Sequence, residues 1–185
     1  MSTTVTVKRD TSYTGDVVGI TFQPPPYYKP LINKTKVAVA VIPARSGSVG
    51  LKDKNIKLFL GKPLIHHAIT AALNSKRISH VFVSTDSPLY GEIVKNSGAK
   101  VLKRPTRLAE DVPTEEVIIH ALSQIRNLGI EPDIIVTLQC TTPGIRPKDI
   151  DELVRMVDED FDSAATICEV SEKPEWMYYY DQKTK

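Results

Sequence analysis

Cysteine is almost missing from this chain: there are two in 185 residues, Cys140 and Cys168. Both lie in segments that read as buried strands, and their spacing fits neither a zinc site nor a disulfide framework. That excludes a small disulfide-stapled scaffold and leads to the expectation of a reducing compartment, the cytoplasm. Long apolar runs are missing too. No stretch approaches the roughly 18 to 20 consecutive apolar residues of a membrane helix, and the opening segment holds no apolar run of signal-peptide type, so no membrane partner is expected. Nor is there an excess of one charge sign. With 24 Lys and Arg against 22 Asp and Glu, the formal net charge is +2, which argues against nucleic acid as a partner. There is no internal repeat. What remains, 41% hydrophobic and 25% charged residues, is the profile of a globular protein. A chain of this length can bury about 0.7 of its unfolded surface without a structural metal.

Residues 1–36 differ in kind from the rest. They are rich in Ser, Thr, Tyr and Pro, with Pro24, Pro25, Pro26 and Pro30 close together, and they read as an N-terminal arm. Within it, Val5–Val7 and Val17–Phe22 are able to pair as a short hairpin, and 24–30 should be extended. Residues 37–185 form the expected domain. Lys36–Ile42 is a continuous apolar run, as in a strand covered on both faces. Further strands are expected at 80–84, 99–103, 133–139 and 163–170, alternating with helices at 63–76, 88–96, 114–128 and 148–157. Thr114 is the N-cap candidate of the third helix. This alternation predicts an α/β fold with a mostly parallel sheet and helices on both faces. Ligands bind such sheets beyond the carboxyl ends of the strands, so the loops after Ile42, Ser84, Lys103 and Gln139 are the place to look for chemistry.

The first of these loops, residues 43–55, reads PARSGSVGLKDKN. Gly47 and Gly50 let the backbone approach a ligand, exposed N–H groups are able to cradle phosphate oxygens, and Arg45, Lys52 and Lys54 supply positive charge. It is neither a Walker A loop nor a GxGxxG fingerprint, and by composition alone it stands open between a phosphate loop and a simple turn. Residues 95–107 carry Lys95, Lys100, Lys103, Arg104 and Arg107 without an acid, a one-signed segment suited to an anion. Gln139 ends a strand at the same edge, with Thr141 and Thr142 extending a polar rim. Asp86 either caps the following helix, which its turn favours, or faces a nucleotide. His66, His67, His80 and His120 make no recognisable pair with a nucleophile. The acids of 149–175 read as a solvated face.

The loop, followed by Gly61-Lys62-Pro63-Leu64-Ile65, resembles the signature of the acylneuraminate cytidylyltransferases, or CMP-sialic acid synthetases. Three further segments match in order: Val83-Ser84-Thr85-Asp86, then Arg104-Pro105 with Leu108-Ala109-Glu110-Asp111, then Leu138-Gln139-Cys140-Thr141-Thr142-Pro143. The resemblance covers about Val37 to Tyr180. It implies a three-layer, Rossmann-like nucleotide-diphospho-sugar transferase fold. It also implies an enzyme in which the anomeric hydroxyl of an acidic nine-carbon sugar attacks the α-phosphate of CTP and pyrophosphate leaves. Such transfer depends on positioning and charge neutralisation. By motif, Arg45 and Lys54 would be catalytic and hold the triphosphate. Ala44, Ser46, Gly47, Ser48, Gly50, Asn55, Asp86 and Arg104 would bind the nucleotide, and Gln139, Thr141 and Thr142 the sugar.

Two departures from the family pattern stand out. The family has lysine where Val49 stands. Its members also continue beyond the segment found here at Tyr178–Lys185, and the resemblance implies that this further part carries the magnesium-holding aspartates, much of the sugar pocket and a dimer-forming extension. Magnesium is therefore an implied cofactor whose ligands are not identified in these residues, and a homodimer is a candidate assembly. Two rival readings remain. A CMP-Kdo synthetase shares the Ile-Pro-Ala-Arg loop but would show Gly-Asp-Glu-Pro near residues 139–143. A truncated, non-catalytic nucleotide-binding or assembly module would use the arm for docking.

Overall fold

The structure, a computed structural model, describes residues 6–9, 17–21, 36–48, 50–159 and 161–168. The chain divides into two compact units, residues 1–28 with 161–185, and residues 29–160. In the first unit, β1 (Thr6–Arg9) and β2 (Val17–Thr21) pair antiparallel with Val7 opposite Ile20, so the expected hairpin forms.

The second unit opens with β3 (Ala38–Pro43), whose first five residues are buried. A short antiparallel ribbon follows, β4 (Leu58–Phe59) and β5 (Lys62–Pro63). Leu60 (φ +47°) and Gly61 (φ +77°) make its tip, the double positive φ that a two-residue hairpin demands. Then come α1 (Leu64–Leu73), β6 (His80–Thr85), α2 (Pro88–Asn96), β7 (Lys100–Lys103), α3 (Thr114–Asn127), β8 (Ile134–Thr137) and α4 (Pro147–Glu159). The last strand, β9 (Thr166–Cys168), pairs antiparallel with β2. The strand expected at 163–170 therefore joins the hairpin of the first unit and not the parallel sheet; antiparallel pairing needs only a free edge, with no crossover helix.

Strands β3, β6, β7 and β8 form one parallel sheet in the order β7-β6-β3-β8. Alternate residues of β3 serve opposite faces, as strand geometry requires. Ala38, Ala40 and Ile42 pack with Ile65 and Ile69 of α1, Tyr90 and Val94 of α2, and Ile150 and Val154 of α4. Val39 and Val41 pack with Phe82, Leu102 and, from α3, Ala121 and Ile125. The result is the three-layer arrangement expected. Each large side chain so buried contributes about 2 to 3 kcal/mol relative to exposure.

Successive connections leave β3 on one side toward β6 and β7, and the chain then returns to its other side for β8. The order of strands thus reverses between β3 and β8, and the crevice at their carboxyl ends is where a ligand belongs in such a sheet.

The acids of α4 are not all solvated, contrary to the sequence reading. Asp151 accepts bonds from the Ser75 hydroxyl at 2.5 Å and from the N–H groups of Lys76 at 2.8 Å and Arg77 at 3.1 Å, closing the turn after α1. Thr114 does not cap α3. The cap position is Pro113, whose fixed φ of −53° delivers the chain in extended form to a helix beginning at Thr114.

Candidate active site

A cavity of about 330 Å³ opens at this crevice. Its walls include Arg45, Ser48, Gly50, Lys54 and Asn55 from the loop after β3, Arg104, Glu110, Asp111 and Val112 from the segment between β7 and α3, Thr114 at the start of α3, and Gln139, Cys140 and Thr141 after β8.

The backbone ladder runs on past β3. Ala44 N–H donates to the Ser84 carbonyl at 2.9 Å, and Ala44 is fully buried. That burial takes Ala44 off the cavity wall and aims the next residue, Arg45, across the opening. Arg45 Nη1 donates to the Glu110 carbonyl at 2.7 Å, and Nη2 meets Asp111 Oδ1 at 3.2 Å. Asn55, itself buried, donates to the Arg45 carbonyl at 3.0 Å and so holds the far end of the loop against its start.

Arg104 has the most unusual setting. It is only 5% exposed, yet among the described residues its hydrogen-bond partners are neutral: Nε donates to Ser84 Oγ at 3.2 Å and Nη2 to the Ser84 carbonyl at 3.1 Å. Burial lowers its pKa, and Asp86 works in the opposite direction. A guanidinium stays charged in such a place, because its ordinary pKa lies far above neutrality. A buried cation that, among the described residues, is hydrogen-bonded only to neutral groups calls for a negative partner from the cavity.

Of the basic run at 95–107, Arg104 alone lines the cavity. Lys95 pairs with Glu92 at 2.9 Å, and Lys100 lies 5.8 Å from the centre of the Phe82 ring.

Asp86 does not cap α2 and does not line the cavity. Ser87 occupies the cap position, its hydroxyl accepting the Tyr90 N–H at 3.4 Å. Asp86 instead accepts the Ser46 N–H at 2.9 Å and the Ser46 hydroxyl at 2.5 Å. Burial would raise this carboxyl, but the two Ser46 bonds hold it below the ordinary aspartate range. Thr142, likewise off the cavity wall, donates its hydroxyl to the Gln139 carbonyl at 2.9 Å.

Of the expected site residues, the fold brings Arg45, Ser48, Gly50, Lys54, Asn55, Arg104, Gln139 and Thr141 to one cavity, and leaves Ala44, Ser46, Gly47, Asp86 and Thr142 behind it or beside it. Val49 lies outside the described residues. Neither Gly47 nor Gly50 takes a positive φ, so no backbone turn requires glycine there; a Cβ at either would meet no protein atom within 4 Å.

Glu110, Asp111, Thr114 and Cys140 also line the cavity without having been assigned a role from sequence. The acidic pair sits in the Leu-Ala-Glu-Asp motif, which was the available signal. Cys140 is no nucleophile: burial pushes its thiol up to about 12, and its Sγ lies 3.8 Å from the Pro43 carbonyl. None of the histidines lines the cavity. Among the described residues no three His, Cys, Asp or Glu side chains gather as a metal site, and Asp111 pairs with Arg45. The described residues alone thus supply no preformed three-carboxylate site for a magnesium ion.

The model of the cytidylyltransferase family matches residues 39–181. Over 124 residues the chain is 41% identical to an N-acylneuraminate cytidylyltransferase of Escherichia coli O18:K1:H7, a match covering 66% of this chain and 28% of that protein. It is 34% identical over 150 residues to a CMP-N,N'-diacetyllegionaminic acid synthase of Legionella pneumophila, covering 78% of this chain and 63% of that one. The chain thus spans from about a quarter to under two thirds of the length of these relatives. A solved CMP:2-keto-3-deoxy-manno-octonic acid synthetase, complexed with CTP, superimposes with a TM-score of 0.58 at 31% identity, covering 66% of this chain and 48% of that one.

Proposed function

This chain belongs to the cytidylyltransferase family, and from that premise we propose that its cavity binds CTP and that the whole protein transfers CMP to an acidic nonulosonic sugar of the sialic acid type, releasing pyrophosphate. One observation carries the reading: the buried Arg104 guanidinium, hydrogen-bonded among the described residues only to Ser84, stands in the same cavity wall as Arg45 and Lys54. Three cations around a cavity of about 330 Å³ suit a polyanion carried on a compact base and sugar.

In the proposed reaction the sugar's anomeric oxygen bonds to the α-phosphorus as the bond to the bridging oxygen breaks, and pyrophosphate leaves. Arg45 and Lys54 neutralise charge on the triphosphate, which is the principal protein contribution to such transfer. Ser48 and Gly50 offer backbone N–H groups, Arg104 reaches the nucleotide, and Gln139 and Thr141 read hydroxyl groups at the rim. Before CTP enters, Arg45 rests on Glu110 and Asp111, and the ligand's phosphates replace these acceptors. Magnesium is part of the proposal through the family resemblance; when bound it neutralises phosphate charge, and the residues named here act beside it without being its ligands.

The relatives' names favour a nine-carbon sugar of the sialic or legionaminic type. The octonic acid synthetase likeness supports an eight-carbon acid as a second reading, against which stands Gln139-Cys140-Thr141-Thr142-Pro143 in place of Gly-Asp-Glu-Pro. Pyrophosphate release tests the choice. CTP with a nonulosonic acid is expected to give turnover in the full-length protein. Binding of CTP without release with either class of sugar supports instead a nucleotide-binding module.

A further inference from the structure

The segment 84–90, which closes β6 and opens α2, grips the loop after β3 through side chains at two separate points. Near the start of the loop Asp86 takes both polar hydrogens of Ser46. Near its end the Tyr90 hydroxyl donates to Asp53 Oδ1 at 3.2 Å.

Tyr90 is fully buried, with its ring in the core among α1, α2 and β3. Close packing fixes the ring, so the hydroxyl holds one position at the core's edge. Asp53 takes φ +54°, a left-handed conformation that aspartate tolerates better than most residues. The next residues form a 3-10 turn, Lys54–Ile56, through Ile56 N–H to the Asp53 carbonyl at 3.0 Å. Lys54 and Asn55, the first two residues of that turn, are the ones that enter the cavity wall. Phenylalanine would fill the same core volume without needing a polar partner. The hydroxyl therefore serves the loop more than the core.

We propose that Tyr90 is a positioning residue: through Asp53 it fixes the left-handed turn that sends Lys54 and Asn55 into the cavity, and it thereby sets the affinity for the triphosphate without touching it. The proposal rests on the reading of this cavity as a CTP site. The phenol remains a donor throughout the working range, since burial and the Asp53 carboxylate raise its pKa.

The test is calorimetric titration of the 185-residue chain with CTP, in the parent, Tyr90→Phe, Asp53→Gly and the double variant, at a temperature well below all four melting points. Phenylalanine keeps the packing, and glycine keeps the left-handed backbone, so each variant removes one end of the same bond. Each single variant is expected to weaken CTP binding about fivefold, the scale of one hydrogen bond. The double variant should lose no more than either single one, because both act through one contact. Unchanged affinity in Tyr90→Phe overturns the proposal. So does an additive loss of about 25-fold in the double variant, the mark of two independent structural defects. Should Tyr90→Phe not fold, unchanged affinity in Asp53→Gly overturns it alone, and a fivefold loss there supports it. A parent chain that binds no CTP overturns the CTP reading itself, a result distinct from any difference among variants.

Discussion

Arg45 crosses the mouth of the cavity to donate to the backbone carbonyl of Glu110 at 2.7 Å, joining the loop after β3 to the segment that leads into α3. The bond matters because its acceptor is a main-chain oxygen and its second partner, Asp111, is 97% exposed. Exposed ion pairs of this kind are worth little to stability, on the order of 0 to 1 kcal/mol. Arg45→Ala should therefore leave the melting temperature nearly unchanged while weakening CTP binding about tenfold or more, as expected for loss of a charge-assisted phosphate contact. Thermal melting and CTP titration of the same variant check both halves, and equal affinity removes Arg45 from the site.

Asp86 gives a pH dependence with a definite sign. Burial would raise its pKa, but the Ser46 hydroxyl and N–H hold it below the ordinary value. A carboxyl depressed in the folded state contributes stability above its unfolded pKa, about 4, and loses it as pH falls through the folded value. The difference in melting temperature between the parent and Asp86→Asn should accordingly be largest above about pH 5 and shrink steadily below about pH 4. A difference that stays constant down to the lowest pH would show that the Ser46 bonds do not depend on the charge.

Gly50 lines the cavity, has an ordinary φ, and faces open space where a Cβ would sit. Its missing side chain serves no protein neighbour, only an incoming ligand. Gly50→Ala should hold or raise stability by about 0.4 to 1 kcal/mol through the unfolded chain. It should weaken CTP binding if the triphosphate lies against the backbone. Melting and titration on one sample separate the two effects, and an affinity equal to the parent's would mean that the ligand does not approach Gly50.

The ribbon tip carries backbone strain at Leu60. Leu60 is 83% exposed and takes φ +47°, a conformation costly for a branched apolar side chain. Leu60→Asn suits the first position of a two-residue hairpin turn and should raise stability by about 0.5 to 1 kcal/mol. Chemical denaturation of the two chains measures it directly.

Much of this architecture was legible in the residues. The run at 36–42 carries its own meaning because a strand buried on both faces must be apolar throughout. The helix Pro88–Asn96 has the bounds its sequence predicts, since proline opens it and Gly98, at φ +88°, lies just beyond its end. The ribbon Leu58–Pro63 is not legible in the sequence, as two-residue strands leave no periodic signal. The role of Asp86 is not legible in the sequence because adjacent Asp86 and Ser87 are both good caps, and only the fold shows that Ser46 claims the first and the helix the second. In the same way, Arg104 could be marked as an anion-binding candidate by its basic neighbourhood. Its burial against Ser84, twenty residues earlier, depends on the parallel pairing of β6 with β7.

The central claim, that the crevice between β3 and β8 is a cytidine triphosphate site, meets its most direct test in calorimetric titration of the chain with CTP, ATP, GTP and UTP in turn. The account predicts saturable binding of one CTP per chain, tighter than for the purine triphosphates and lost in Arg104→Met, which removes the buried guanidinium while keeping an apolar stem. Absence of binding by all four nucleotides, or CTP binding unchanged in Arg104→Met, would contradict it.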